Sequence, residues 1–213
     1  MTWIDRLERR ARRLAVPNLM FFISGGMLLV YLLSLLFPHL TGLLSLDRAA
    51  LFRGQVWRLL TFLFVPPTTS PLWILFQLYF NCLLGRGLEQ QWGVFRFNLY
   101  YLCGMAGAIL AALLTGYGTN NYLNLSLFFA FAAFYPDYKL LIFFILPVKI
   151  KYLAILDGVL YLLGFVFGTW ASRAAILLSL VNVVIFFGGS GLARLKTQMG
   201  YWKTRRNFRK YMK

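Results

Sequence analysis

Residues 97–136 read FNLYYLCGMAGAILAALLTGYGTNNYLNLSLFFAFAAFYP, and this stretch decides the fold. It carries no charged side chain over its 40 residues, which as one helix would extend about 60 Å. The hydrocarbon of a bilayer is about 30 Å thick, so the stretch predicts two membrane crossings rather than one. The turn-rich run GYGTNN at 116–121 divides them into crossings over about 97–115 and 122–135.

The composition of the whole chain points to the same class of protein. Of the 213 residues, 60% are hydrophobic and only 13% are charged, and the mean hydropathy is +0.68. Soluble domains carry about 25% charged residues. These values exclude a soluble enzyme, a disordered chain and a secreted disulfide scaffold, and they predict an integral membrane protein of one domain. Cys82 and Cys103 lie in apolar stretches and are expected to be buried thiols; no metal or other cofactor is expected.

Four further apolar segments bring the predicted count to six crossings. They cover about residues 19–37, 71–85, 152–170 and 174–193. The apolar segment 140–148 is too short to cross, so it is expected to be an interfacial or re-entrant piece. Seven crossings is the alternative if that segment lies deeper. The sequence therefore predicts an all-α membrane protein, with a six-helix bundle over 18–193.

The lysines and arginines give this bundle an orientation. With the N-terminus inside, 18 of the 22 fall on the cytoplasmic side and 4 on the outer side, and cytoplasmic loops are the ones that collect such residues. Both termini are therefore expected to be cytoplasmic. The lack of a recognisable signal peptide or transit segment favours the plasma (inner) membrane of a bacterium.

Most of the net charge of +16 belongs to the two ends of the chain. A basic amphipathic helix is predicted over 1–17, with a basic tail over 194–213. Both are expected to rest on an anionic inner leaflet. A nucleic-acid partner is not needed to explain the charge.

The outer loop between the first two crossings, residues 38–70, is unusually apolar for a loop in water. It is expected to be partly embedded in the outer leaflet. Arg53 and Arg58 would then lie at the level of the lipid headgroups.

Two features of the fifth crossing bear on function. Asp157 is the one ionisable group predicted inside the bundle, and it is expected to meet Lys149, Lys151 or nearby backbone near the cytoplasmic surface. Transporters and channels usually place several such groups in their bundles, so transport is disfavoured and kept as an alternative. Gly164 and Gly168 form a GxxxG motif, which predicts close packing of this helix.

Three motifs together make the chain resemble the rhomboid superfamily, which includes intramembrane serine proteases, their inactive relatives and the derlins. The first is Trp57-Arg58, within GQVWRLLTF in the embedded loop. The second is Asn81 followed by LGRGLEQQWGVFRF at 84–97, with the motif residues Gly85, Gly87, Glu89 and Gly93. The third is a helix ending at Pro136, followed by ILPVK at 145–149. The likeness spans about residues 17–192 and implies a rhomboid-like bundle.

The resemblance implies a catalytic pair that this sequence does not complete. The family places a nucleophilic serine, in Gly-x-Ser-Gly, on helix four and a histidine base on helix six. Ser126 stands at the serine position, but Asn124 and Leu127 replace the glycines. Residues 175–182 contain no histidine, and the only histidine of the chain is His39, at the outer end of helix one. A serine hydroxyl is a poor nucleophile without a base, so the resemblance implies an inactive pseudoprotease.

Polar residues at and around the family's site are the candidate client-binding residues. They are Gln77 (where the family has a histidine), Asn81, Asn124, Ser126 and Asn182. Two interpretations stay open: hydrogen bonds between helices, or a pocket that grips the transmembrane segment of a client protein without cutting it, which is the role that the likeness to derlins implies. The alternative functions are an active serine protease that uses Ser126 with an unrecognised base, and a small transporter or channel.

Overall fold

The computed structural model describes residues 15–142 and 146–170, together with 172–173, 176–178 and 181. Most of the predicted amphipathic helix over 1–17 lies outside the described residues. So do Asn182, most of the predicted crossing over 174–193, and the whole basic tail over 194–213.

Helices make up most of the described chain. They are α1 (Leu19–Leu36), α2 (Leu40–Leu44), α3 (Arg48–Phe52), α4 (Arg58–Thr61), α5 (Pro71–Trp92), α6 (Val94–Thr115), α7 (Asn121–Phe134) and α8 (Ile150–Phe167). A 3-10 turn over Phe62–Phe64 follows α4. Three of these helices, α1, α6 and α8, are long and apolar enough to cross a membrane. The chain is therefore a mostly helical membrane protein, as its composition predicted.

Two short antiparallel pairs of strands, which the sequence pattern did not predict, join these helices. β1 (Leu46–Asp47) pairs with β2 (Tyr117–Gly118), and β3 (Lys139–Ile142) pairs with β4 (Leu146–Lys149). The second pair forms a hairpin in the segment expected to be interfacial or re-entrant. A short apolar run fits a strand as well as a helix, which is why its pattern alone did not separate the two.

Asp137 holds the base of this hairpin. Its Oδ1 atom accepts hydrogen bonds from Lys149 Nζ and Lys151 Nζ, each at 3.1 Å. These bonds, first that from Lys151, lower the pKa of the Asp137 carboxyl. The carboxylate therefore stays ionised at neutral pH, and both lysines are engaged at this surface.

The helix α5 is the centre of the packing. It contacts α1, α6 and α7, and α7 in turn contacts α6 and α8. The chain reversals divide the bundle into two ends. The loop end carries residues 37–70 and 116–120, and the turn end carries residues 16–18, 93, 135–142 and 146–149.

Glu89 and Asn98 fix the start of α1 at the turn end. Both carboxylate oxygens of Glu89 accept from the backbone N–H of Asn18, at 3.1 Å each. Asn98 Nδ2 donates to the Val16 carbonyl at 2.9 Å. In a capping box this N–H is satisfied by a glutamate of the same helix; here the glutamate comes from α5.

Gly85 and Gly87 let α5 approach its neighbours closely. A Cβ atom at Gly85 would overlap the Met20 side chain of α1, and one at Gly87 would overlap the Phe131 ring of α7. Gly93 makes the reversal between α5 and α6 with φ +81°, a conformation that favours glycine. The motif glycines therefore have packing and turn roles.

Replacing Gly85 by alanine should destabilise the bundle, because the new methyl group would overlap Met20 Cβ and Cγ. Overpacking of this kind costs about 1–3 kcal/mol. The matched control is Gly25→Ala in α1, where nothing lies within 4 Å of the Cβ position and alanine favours the helix by about 1 kcal/mol. Thermal unfolding in detergent should show a lower midpoint for Gly85→Ala alone. Equal midpoints for the two variants would contradict the close contact.

Candidate functional site

The chain doubles back along α6 before α7 begins. Although α6 ends at Thr115, a Cβ atom at Gly118 would lie 2.7 Å from Ala112 Cβ and 3.4 Å from the Ala108 carbonyl oxygen. The start of α7 is therefore one to two turns deeper in the bundle than the end of α6. With 14 residues, α7 extends about 21 Å, less than the hydrocarbon thickness of about 30 Å. Because α7 is this short, space remains beyond its first turn, on the side of the loop end.

A cavity of about 360 Å³ lies beside the first two turns of α7. Its walls come from α6, α7, α8 and the described residues after α8. The lining includes Gly104, Gly107, Tyr122, Ser126, Tyr161 and Leu178. The nearest atom of another segment to a Cβ position at Gly107 is the Leu178 carbonyl oxygen, at 3.8 Å. Gly107 is thus in ordinary van der Waals contact with Leu178, and it borders the cavity.

Of the predicted client-binding residues that the structure describes, Ser126 alone lines this cavity. It is 1% exposed. Its Oγ donates to the Leu123 carbonyl of its own helix at 2.8 Å, and its backbone carbonyl accepts from the Tyr100 hydroxyl at 2.9 Å. His39 is exposed at the loop end, just before α2. The site thus holds a serine hydroxyl whose proton is bonded to backbone, and the one imidazole of the sequence lies on the surface.

Gln77 and Asn81 form a hydrogen-bonded pair inside the bundle. Gln77 Nε2 donates to Asn81 Oδ1 at 3.0 Å, and Asn81 Nδ2 donates to Met27 Sδ of α1 at 3.6 Å. Asn81 is fully buried. The geometry matches the interpretation of hydrogen bonds between helices, and contact of this pair with a client stays a prediction.

Asn124 is placed differently from Ser126, two residues later on α7. It is buried, and neither its Oδ1 nor its Nδ2 atom has a hydrogen-bond partner. A buried amide without partners is costly. Among the described residues, Asn124 is thus an unsatisfied polar group in the core, and it lies outside the cavity lining.

Arg58 holds the apolar loop together from within. It is buried, and its Nη1 atom donates to the carbonyls of Gly42 and Ser45 at 2.7 and 2.6 Å, while Nε donates to Gln55 Oε1 at 2.7 Å. Arg58 is therefore enclosed by the loop, and its expected position at the headgroup level stays a prediction. The guanidinium has five donors, and the turn at 42–45 offers it carbonyls. Its neighbour Trp57 is exposed.

Asn120 ties the loop to the start of α7, a role that the sequence analysis missed. Its Nδ2 atom lies 2.9 Å from the Val65 carbonyl oxygen, 3.2 Å from that of Leu63 and 3.4 Å from that of Phe62. Its side chain is buried. The sequence analysis identified Asn120 only as a member of the turn-rich run 116–121. A local sequence pattern does not reveal a contact with residues more than 50 positions earlier.

The helix α8 presents one narrow face to the bundle. Leu153, Ala154 and Tyr161 pack against the core. The opposite surface is exposed and apolar, with Ile155, Leu156, Val159, Leu162, Val166 and Phe167. Most of α8 is therefore free to face lipid or another membrane helix.

The GxxxG motif of α8 makes no close helix contact within the described residues. The nearest atom to a Cβ position at Gly164 is Ile176 Cδ1, at 3.9 Å. A Cβ at Gly168 would overlap the Gly164 carbonyl of the same helix, because Gly168 lies at its end. Close packing of this motif is thus not found among the described residues, and it stays a prediction.

Asp157 does not meet the lysines expected for it. Lys149 and Lys151 bind Asp137 instead. No other described residue forms an ion pair or hydrogen bond with Asp157. A half-buried carboxylate of α8 is therefore left without a partner from the described chain.

Comparison with known proteins does not assign this site. No protein-family model matches the chain, and no curated protein matches its sequence. Its chemistry follows from the geometry alone.

Replacing Arg58 by glutamine should open the loop, because it leaves the carbonyls of Gly42 and Ser45 without their donor. A buried acceptor that loses its partner costs about 1–3 kcal/mol. The matched control is Arg53→Gln, since Arg53 is exposed on the same loop. Limited proteolysis should cut within residues 40–65 much faster in Arg58→Gln than in wild type or the control. The same cleavage rate in both variants would contradict the role of Arg58.

Proposed function

We propose that this chain is a rhomboid-like pseudoprotease, a membrane protein of six crossings that binds transmembrane segments of client proteins without cutting them. The observation that carries this proposal is the cavity beside the short α7. Ser126 lines it, the Ser126 hydroxyl donates to the Leu123 carbonyl, and the one histidine of the sequence, His39, is exposed at the loop end. Such a cavity receives part of another membrane segment but lacks the means to hydrolyse it.

The six crossings combine α1, α6 and α8 with α5, α7 and segment 174–193. α5 is apolar until Arg86 and Glu89 near its turn end, and residues 176–178 and 181 are helical. The distribution of lysine and arginine supports a turn end in the cytoplasm and a loop end outside. The membrane proposed for this chain is the plasma membrane of a bacterium.

The positions of the motif residues support the likeness to the rhomboid superfamily. Arg58 of the Trp-Arg pair is the centre of the loop, and Glu89 caps α1 from α5. Ser126 lies on a short, buried helix at the edge of a cavity. In each case a residue that the likeness singles out has a structural role in this chain.

The chemistry of the cavity suits binding. Three residues that carry hydroxyl groups, Tyr122, Ser126 and Tyr161, are among those that line the cavity. Hydrogen bonds between membrane helices contribute about 0.6 kcal/mol each and up to nearly 2. A client segment with a polar or unwound stretch gains such bonds here. Hydrolysis would require a base for the Ser126 proton, and that proton is bonded to the Leu123 carbonyl.

A fluorophosphonate probe should not label the purified protein, because Ser126 lacks a general base. Labelling in detergent and in liposomes, followed by gel fluorescence, measures this directly. The controls are Ser126→Ala and Ser34→Ala, a serine of α1 that bonds to the Tyr31 carbonyl. Labelling that disappears in Ser126→Ala and persists in Ser34→Ala would establish the protease alternative.

A photo-crosslinker at the cavity should capture membrane segments. We expect p-benzoylphenylalanine in place of Tyr161 to crosslink to members of a set of tagged peptides of about 20 residues, each long enough to cross a bilayer. The peptides share a Leu/Ala background and differ in one central residue (Leu, Ser or Lys). The same probe in place of Leu29, which is exposed on α1, should give only background adducts.

Filling the cavity should abolish this capture. Gly107→Phe places a ring in the open space beside Leu178, whereas Gly25→Phe adds the same ring to a lipid-facing position of α1. Crosslinks from the Tyr161 position should be lost in the first variant and kept in the second. Adducts that are equal from both probe positions, or indifferent to Gly107→Phe, would overturn the proposed function.

A further inference from the structure

Asp157 lies on the face of α8 that is turned to the bundle. It is three residues beyond Ala154 and four before Tyr161, and residues at these spacings share one face of a helix. Ala154 and Tyr161 both pack against the core. Asp157 is accordingly half-buried, while Leu156 beside it is exposed.

The described residues supply no cation for this carboxylate. The nearest lysines in sequence, Lys149 and Lys151, are held by Asp137 at 3.1 Å. The sequence has no lysine or arginine in 19–36, 71–85, 97–136 or 174–193, the segments of the other crossings. Within the described part of the chain, no cation meets Asp157.

Asp157 is also close to the candidate site. It lies about 10 Å along α8 from Ile150, at a rise of 1.5 Å per residue, and one helical turn from Tyr161. Tyr161 lines the cavity and packs edge-on against Tyr122 with a centroid distance of 6.1 Å. The carboxylate therefore stands one turn beyond the cavity, on the side of the turn end.

Ionisable groups at this depth are expensive unless they are paired. A neutral apolar residue at position 157 would avoid that cost, and the exposed positions of α8 are filled with such residues. A carboxylate that faces inward, without a cation among the described residues, is complementary in charge to a basic side chain of a bound segment. Charge complementarity thus indicates a bound segment that carries a basic side chain.

We propose that Asp157 selects client transmembrane segments that carry a lysine or arginine within the membrane. This inference rests on the proposed function, because it assigns a substrate class to the same site. The basic side chain of the client pairs with Asp157, and the adjoining part of the client lies along the α7–α8 side of the cavity.

Binding of matched peptides tests this inference. The probes are tagged Leu/Ala peptides of about 20 residues that carry Lys, Leu or Glu about 10 Å from their cytoplasmic end, the depth of Asp157 along α8. Wild-type protein is reconstituted in liposomes of phosphatidylcholine, a lipid of zero net charge. Binding is followed by fluorescence energy transfer between the protein and the tagged peptide. We expect the Lys peptide to bind at least about tenfold more tightly than the Leu peptide, which corresponds to about 1.4 kcal/mol.

Variants at position 157 separate charge from shape. Asp157→Asn should bring the Lys peptide down to the affinity of the Leu peptide and leave the Leu peptide unchanged. Asp157→Glu, which keeps the charge, should keep the preference. The comparison of the Lys and Leu peptides on wild-type protein needs no variant. It therefore tests the proposal even if a variant at position 157 fails to fold.

The outcomes are distinct for the two proposals. Equal binding of Lys, Leu and Glu peptides would overturn the selection by Asp157 and leave the binding function standing. Loss of the Lys preference in Asp157→Glu as well as in Asp157→Asn would also overturn it. No binding of any peptide would overturn the proposed function, and the selection with it.

Discussion

Backbone carbonyl groups of the short helices and turns at the loop end are the constraint on which this end depends. At membrane depth such groups must be satisfied within the protein. Two side chains with several donors do this: Arg58 reaches the carbonyls of Gly42 and Ser45, and Asn120 reaches three carbonyls between residues 62 and 65. Because Asn120 also precedes the first residue of α7, one amide fixes both the loop and the depth at which α7 begins. The cavity exists because that depth is reached only after the chain has folded back along α6.

Much of the helical framework was predictable from apolar runs and their interruptions. The crossings expected over 97–115 and 122–135 correspond to α6 and α7, because a long uncharged run and a glycine-asparagine turn leave few alternatives. The hairpin of β3 and β4 was not predictable, since the hydrophobic pattern of a run of nine apolar residues does not distinguish a strand from a helix. The buried position of Arg58 was missed for another reason: a charge in an apolar loop fits the headgroup level equally well, until the carbonyls around it are known.

The candidate site was predictable only in part. Ser126 was identified by the likeness of its stretch to a known motif, and it does line the cavity. Gln77 and Asn81 were grouped with it, yet they bond to each other and to Met27, because helical spacing does not reveal which neighbour a polar face meets. Tyr122 and Tyr161 gave no signal, since an aromatic residue in an apolar helix counts as apolar whether or not its hydroxyl borders a cavity.

The bond between Glu89 and Asn18 has a consequence for biogenesis. The two residues are 71 positions apart, so α1 leaves the ribosome long before the carboxylate that caps it has been synthesised. The contact of Met20 with Gly85 likewise forms only after Gly85 has been synthesised. The first long helix to be translated, α1, can therefore complete its packing only after α5 has been synthesised. The order of synthesis thus differs from the order of assembly.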